Sequence, residues 1–250
     1  MNDKLTVGGF GGYYRLESWI LAETITLATR AFCRKFLNRT NDPCGRLFDQ
    51  MTQAARSGGR NIAEGSARHA TSRETELKLL DVARASIAEL HDDYLCWLPD
   101  KGQAPWAESS PAAREVRDIR VPPPIDGEDP ALAAAERVLE QKKILAKWLD
   151  SDDDATAANA MLILCRRVMA MLTRQMASLT EMFVEDGGFT EKMSAARPEA
   201  RDKKQAEEGA PECPECGKLM RKMTARKGRN AGNQFWSCTG YPDCKGTRPI

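Results

Sequence analysis

Four cysteines crowd the C-terminal end of the chain as Cys213-x2-Cys216, 21 further residues, then Cys238-x5-Cys244. Zinc takes four tetrahedral thiolates at about 2.3 Å, and a Cys-x2-Cys turn sets two sulfurs along one edge of that tetrahedron. Two such pairs complete the shell and leave no place for water. One structural Zn2+ ion is therefore expected, held by Cys213, Cys216, Cys238 and Cys244. The competing readings are a disulfide pair or four unrelated thiols. A segment this short buries little apolar surface, so metal ligation is the simplest source of its stability.

The same segment is basic. Between Cys213 and Ile250 stand Lys218, Arg221, Lys222, Arg226, Lys227, Arg229, Lys245 and Arg248, opposed only by Glu215 and Asp243. Eight cations less two anions leave +6, so a chain of net charge +1 carries about −5 elsewhere. A basic tail on a mildly acidic body points to an anionic partner for the tail. Phe235, Trp236 and Tyr241 sit among these charges and offer faces on which unpaired bases can stack, although at least one of the three is expected to pack the segment's small core. The stretches ECPECG around Cys213 and FWSCTGYPDCK around Cys238 resemble the C-terminal C4 zinc finger of type IA DNA topoisomerases. That resemblance implies a small β-ribbon that binds DNA, mostly single-stranded. It makes Lys218, Arg221, Lys222, Arg226, Lys227, Arg229, Phe235, Trp236, Tyr241 and Lys245 the candidate contacts to DNA or RNA.

The rest of the chain reads as helical. Leu16, Trp19, Ile20, Leu27, Phe32 and Phe36 recur at helical spacing from Arg15 to about Leu37, before the turn cluster NRTNDPCG. A second helix is expected from about Arg46 to Glu64, stopped by Gly65 in a left-handed conformation. Ser72 caps a third, which carries Leu77, Leu80, Ala83, Ile87, Leu90 and Tyr94 and ends at Pro99. Residues 99–130 hold seven prolines and read as a detour, mostly loop, with a helical turn near Ala112–Asp118. Ala131–Leu149 has helical composition. Ser151–Asp154 then gives an acidic start to a long helix whose seam runs through Met161, Cys165, Val168, Leu172, Met176, Leu179 and Phe183, until Gly187-Gly188 closes it. A flexible lead (1–14), bundle helices (15–98), the detour (99–130), a connecting helix and fourth bundle helix (131–190), a charged linker (191–211) and the zinc segment (212–250) follow. The expected fold is mainly α: an up-down four-helix bundle with a small zinc-bound β-ribbon.

Within that body, QMT-x-AARS-x3-NIAEGS from Gln50, AR-x-S-x2-EL from Ala83, and YRLESW from Tyr14 resemble the four-helix-bundle family named for intervening sequences in 23S ribosomal RNA. Residues 145–195, with their FVEDGGFT ending, resemble the "suffix" extension of one branch. The kinship reaches the accessory proteins of diversity-generating retroelements, which form ring-shaped pentamers and bind a reverse transcriptase and nucleic acid. It thus implies a homo-oligomer and a protein partner. From the residues themselves, Ala54, Ala55, Ser57, Ala63, Ala83, Ala85 and Ser86 are small enough to let the second and third helices approach closely. Asn61 and Glu64 are expected to bond across that seam or to the next turn rather than to catalyse, since one carboxylate without a partner makes no acid–base pair. Arg56, Arg60, Arg68, Arg73 and Lys78 flank the link between those helices and form either a second nucleic-acid surface or a solvated face.

Several classes are set aside. No apolar run is seen to approach the roughly 20 residues of a membrane span, and the start MNDKLTVGGFGGYY lacks a secretory pattern. A cytoplasmic location is expected, where Cys33, Cys44, Cys96 and Cys165 would serve as small buried hydrophobes. His69 and His91 lack metal-ligand spacing, and Gly8–Gly12 lacks the Lys-Ser/Thr pair of a phosphate loop. Tyr13, Tyr14 and Tyr94 lack the acidic metal cluster of a topoisomerase, so no enzymatic activity is expected. What remains is a nucleic-acid-binding adaptor, a scaffold whose zinc segment mediates protein contacts, or an accessory subunit of a reverse transcriptase or retroelement system.

Overall fold

The computed structural model describes residues 12–69, 72–125, 129–186, 209–227 and 231–250. Within it the chain splits into two compact units, Met1–Gly188 and Phe189–Ile250. The expected Gly8–Gly12 lead up to residue 11, the Gly187-Gly188 stop, the linker up to residue 208 and Arg229 lie outside the described residues, as do the side chains of 183–186.

In the described residues of the first unit the regular elements are all helices. After a 3-10 turn at Gly12–Arg15 come α1 (Glu17–Phe36), α2 (Arg46–Arg68), α3 (Arg73–Asp100), α4 (Pro111–Asp118), α5 (Pro130–Ile144), α6 (Ala146–Leu149) and α7 (Asp154–Asp186). Their starts obey capping chemistry. The Ser72 Oγ accepts from Thr75 N–H, and the Ser110 Oγ accepts from Ala113 N–H ahead of Pro111. Asp129 accepts from Ala131 and Leu132 N–H ahead of Pro130, and Asp153 accepts from Thr156 N–H. The four long helices meet in a closed cycle: α1 packs on α2, α2 on α3, α3 on α7 and α7 on α1. Ile20, Leu21, Ile25, Ile62, Leu80, Ile87, Leu90 and Leu164 fill the space between them, none with any exposed surface.

Several helix readings change, among them the end of α3, which runs through Pro99 to Asp100. Gly65 does not end α2; the helix runs on to Arg68, and Gly65 is buried where a Cβ would press 3.4 Å from both the Glu76 carbonyl and the Leu79 Cβ of α3. It lies inside the helix against α3, and not in a left-handed turn. The helix expected over Ala131–Leu149 is interrupted at Leu145, which lets Leu145, Trp148 and Leu149 all reach the core. Finally, Asp154–Met182 of α7 is, by length and composition, long and apolar enough to cross a membrane, contrary to expectation. Since 61% of its most apolar window is buried inside the helical unit, a core helix accounts for it.

The proline-rich detour packs down through α4, where Ala113 and Val116 are buried against α7. Buried Asn159 of α7 accepts the Trp106 N–H at 2.6 Å. Of the scattered cysteines, Cys33 and Cys165 are buried as expected, and burial pushes the Cys33 thiol up to about 12. Cys44 and Cys96 are exposed, because one lies in the α1–α2 turn and the other on the outer face of α3.

The α2–α3 seam is closest at Gly58. A Cβ there would come within 2.5 Å of Ile87 Cδ1 and 2.8 Å of Cγ1. One residue along each helix, the Ser86 hydroxyl donates to the Ser57 Oγ at 3.1 Å, and the Asn61 Nδ2 donates to the same Oγ at 3.0 Å. Asn61 thus bonds within α2 and reaches α3 only through Ser57, whereas Glu64 and Ala85 are exposed and play no part in the seam. Gly58→Ala is expected to destabilise the helical unit by about 1 kcal/mol. The overpacking of fully buried Ile87, about 1–3 kcal/mol, outweighs the roughly 0.5–1 kcal/mol that alanine contributes inside a helix. A urea melt at 222 nm measures the difference, and an unchanged or raised midpoint would show that Ile87 repacks freely.

Candidate zinc and nucleic-acid site

The C-terminal unit is a three-stranded antiparallel sheet of β1 (Met220–Thr224), β2 (Gln234–Cys238) and β3 (Thr247–Pro249), in the order β1-β2-β3. Two turns bring the sulfurs together. In the first, Gly217 N–H donates to the Cys213 carbonyl and Cys213 N–H to that of Lys218, with Gly217 at a φ of +74° that only glycine adopts readily. In the second, Cys244 N–H donates to the Gly240 carbonyl, and Cys238 N–H donates to that of Gly246 at 2.9 Å.

All four Sγ atoms lie within 4.8 Å of one another, with Cys213–Cys244 at 3.7 Å and Cys216–Cys238 at 3.4 Å. A zinc tetrathiolate with bonds of about 2.3 Å has sulfur–sulfur edges of about 3.8 Å, so the quartet matches the ion. The surrounding backbone favours thiolates. The Lys218 amide, then the neighbouring thiols, bring Cys216 down to about 7. The Gly246 amide pulls Cys244 down as well, yet Cys216, burial and the other two thiols outweigh it and push Cys244 up to about 12. Four crowded thiols resist ionising together until a cation joins them, and a divalent ion removes that conflict. The shell is complete, so the zinc is structural.

Residues 210–250 match the topoisomerase DNA binding C4 zinc finger. The match covers the second unit alone, and it points this finger toward nucleic acid. No curated protein and no solved structure matches the chain.

Strand register sorts the finger's candidate contacts onto two faces. Lys222 is paired with Trp236, and Trp236 with Arg248, so those three side chains share a face with Met220 and Cys238. Trp236 packs on the buried trio Cys213, Met220 and Cys238, and is the aromatic that builds the small core. The Lys222 Nζ stands 5.2 Å from its ring centroid, a cation–π arrangement. The other face carries Arg221, Met223, Phe235 and Pro249, with Met223 opposite Phe235 and Phe235 opposite Pro249. Tyr241 lies apart, 61% exposed. Lys218, Lys222, Arg226, Lys227 and Lys245 are all exposed, and Arg221 is half-buried.

Sequence reasoning counted Arg248 among the finger's charges without giving it a role. It stands beside Trp236 because β3 adds to the sheet, and a three-residue strand next to the chain's end leaves no periodic signal in the sequence.

Of the five cations at the α2–α3 link, two are seen to be engaged. The Arg73 Nη1 donates to the Met182 carbonyl at 2.8 Å and ties α3 to α7, while Lys78 pairs with Glu74 at 2.7 Å. Arg68 is exposed at the end of α2. Arg56 and Arg60 are exposed on α2 near half-buried Glu23, whose carboxyl is raised by burial and partly restored by Arg60, Arg30 and Arg56. His69, one residue past α2, bonds through Nδ1 to Glu76 at 2.7 Å, and His91 to Asp92 and Arg166.

Proposed function

We propose that this chain is a non-enzymatic nucleic-acid-binding adaptor, in which the finger grips an unpaired strand of DNA or RNA. The observation that carries this reading is the pairing of Lys222 and Arg248 with Trp236 across the sheet, with Phe235 on the reverse face and Tyr241 exposed. Lys222 and Arg248 supply phosphate attraction, while Phe235 and Tyr241, and not the core-packed Trp236, offer rings for stacking, a combination suited to single strands of any sequence.

For the helical unit we propose an up-and-down four-helix bundle of α1, α2, α3 and α7, akin to the intervening-sequence family, that oligomerises or docks a protein partner such as a reverse transcriptase. The closed cycle of helix contacts supports the bundle. Leu132 and Leu139 on α5, 55% and 63% exposed, support an external contact. A cytoplasmic site of action fits the reduced thiols that the zinc quartet needs. Topoisomerase activity is not part of the proposal: Tyr94 is fully buried and its hydroxyl donates to Thr29 at 3.1 Å, which denies it the role of nucleophile. The scaffold reading keeps one observation in its favour, the apolar surface of Met223 and Ile250, 39% and 61% exposed, at the Phe235 end of the sheet.

Fluorescence anisotropy of a labelled single-stranded oligonucleotide across a salt series decides between them. The adaptor requires binding whose log–log slope against salt is about −0.7 for each neutralised phosphate. Lys222→Gln and Arg248→Gln should each flatten it by about that amount, and Phe235→Ala or Tyr241→Ala should weaken binding by about 1–3 kcal/mol where a base stacks. Absence of binding even at low salt would leave the scaffold reading standing alone.

A further inference from the structure

A cavity of about 300 Å³ opens between α4 and α7 in the helical unit, lined by Trp106, Ala113, Arg117, Ile163, Arg166 and Arg167 among others. Its size lies at the lower end of small-ligand sites, and its lining mixes apolar and charged side chains. Three arginines line it against a single lining carboxylate, that of Glu108.

The arginines are not spent on one another's neighbours. Glu108 stands 3.6 Å from Arg166, whose Nε also donates to His91 at 3.1 Å. Among the described residues, Arg117 reaches the Glu108 carbonyl at 3.5 Å and an exposed Asp118 at 3.8 Å. Arg167 is half-buried and donates to the Val116 carbonyl at 3.3 Å, while no carboxylate among the described residues pairs with it. Burial lowers its pKa, and Glu17 and Asp118 act on it only through space. A guanidinium carries five N–H donors, so Arg167, with one bond to a carbonyl, keeps donors that an incoming anion can take. Arginine's planar fork of donors matches phosphate oxygens, and the half-buried Trp106 gives a ring for a planar group beside them.

We propose that this cavity binds an aromatic phosphate monoester of mononucleotide size, with the phosphate among Arg117, Arg166 and Arg167 and the base against Trp106. Two sources share that chemistry: a free nucleoside monophosphate, and the 5′-phosphorylated end of a nucleic-acid strand. The site lies within the helical unit and does not depend on the finger's proposed function.

Isothermal titration of the full-length protein tests it, with adenosine monophosphate, adenosine, inorganic phosphate, and an oligonucleotide with or without a 5′-phosphate as titrants. The same series is run on a Cys213→Ser/Cys216→Ser chain, which removes binding that belongs to the finger. Adenosine monophosphate should bind saturably in both proteins and adenosine should not. Arg117→Gln and Arg167→Gln should each weaken the nucleotide about 10- to 100-fold, the range for a hydrogen bond to a charged group. Arg117 is a surface residue, so its variant carries the test even where Arg167→Gln fails to fold. A preference of the finger-disabled chain for the phosphorylated oligonucleotide over both mononucleotide and unphosphorylated strand would identify a strand end as the source. The proposal is overturned if neither phosphate ester binds the finger-disabled protein at millimolar concentration, or if Arg117→Gln leaves binding unchanged.

Discussion

Removing the zinc should abolish the fold of residues 210–250 while leaving the helical unit intact. The finger's buried apolar content is Cys213, Met220 and Cys238, with Trp236 and Cys244 partly buried against them, and two of those three buried residues are ligands. A core that small cannot offset the conformational entropy of ordering some forty residues, which runs to about 1–2 kcal/mol for each backbone unit fixed. Ligation of structural zinc supplies about 10–16 kcal/mol in comparable small domains near pH 7. A strong chelator, or Cys238→Ser, should therefore erase the β1–β2–β3 amide correlations in an NMR spectrum and release one zinc per chain. Gly246→Ala should do so in part, since its Cβ would come within 2.4 Å of the Cys213 Sγ. Apparent affinity should also fall as pH drops, because protons compete for four thiolates. Oligonucleotide affinity that survived full metal removal would break the link between metal, sheet and binding.

The cysteine quartet was legible because a tetrahedral ion fixes ligand number and leaves its mark as short-range spacing; Cys213-x2-Cys216 and Cys238-x5-Cys244 meet as that spacing requires. Helix starts at Ser72 and after Ser151 were legible for the same local reason, that a cap acts within three residues. What the sequence concealed was long-range. Gly65 looks like a stop when read alone, and becomes a packing residue only once α3 lies against it. The detour looks like loop because its prolines are visible, while the burial of Ala113 and Val116 depends on α7 arriving more than forty residues later. Arg56, Arg60, Arg68, Arg73 and Lys78 look like one basic patch in sequence, yet Arg73 and Lys78 are engaged with Met182 and Glu74. The Phe235 face of the finger was likewise hidden, since it exists only in the register of three strands.

Tyr94→Ala should be the most damaging single change in the helical unit, with a loss of about 3–5 kcal/mol, in the range for truncating a large buried aromatic. Tyr94 has no exposed surface and sits where α3 faces α1, its ring edge-on to Phe32 at 5.0 Å, while Phe32 also meets Phe36 at 4.9 Å and Trp97 at 5.3 Å. Removing the ring opens a void in the middle of that aromatic group and strips the Thr29 hydroxyl, itself fully buried, of its partner. Tyr94→Phe separates the two effects. It keeps the ring and loses only the hydrogen bond, so its expected cost is about 1–2 kcal/mol. For a domain of this size each kcal/mol lowers Tm by about 2–4 °C. Scanning calorimetry should thus show Tyr94→Ala melting about 6–20 °C below the parent and Tyr94→Phe within about 8 °C of it, with one bound zinc per chain in both. Equal losses for the two variants would mean that the hydroxyl pair, rather than aromatic packing, holds α1 and α3 together.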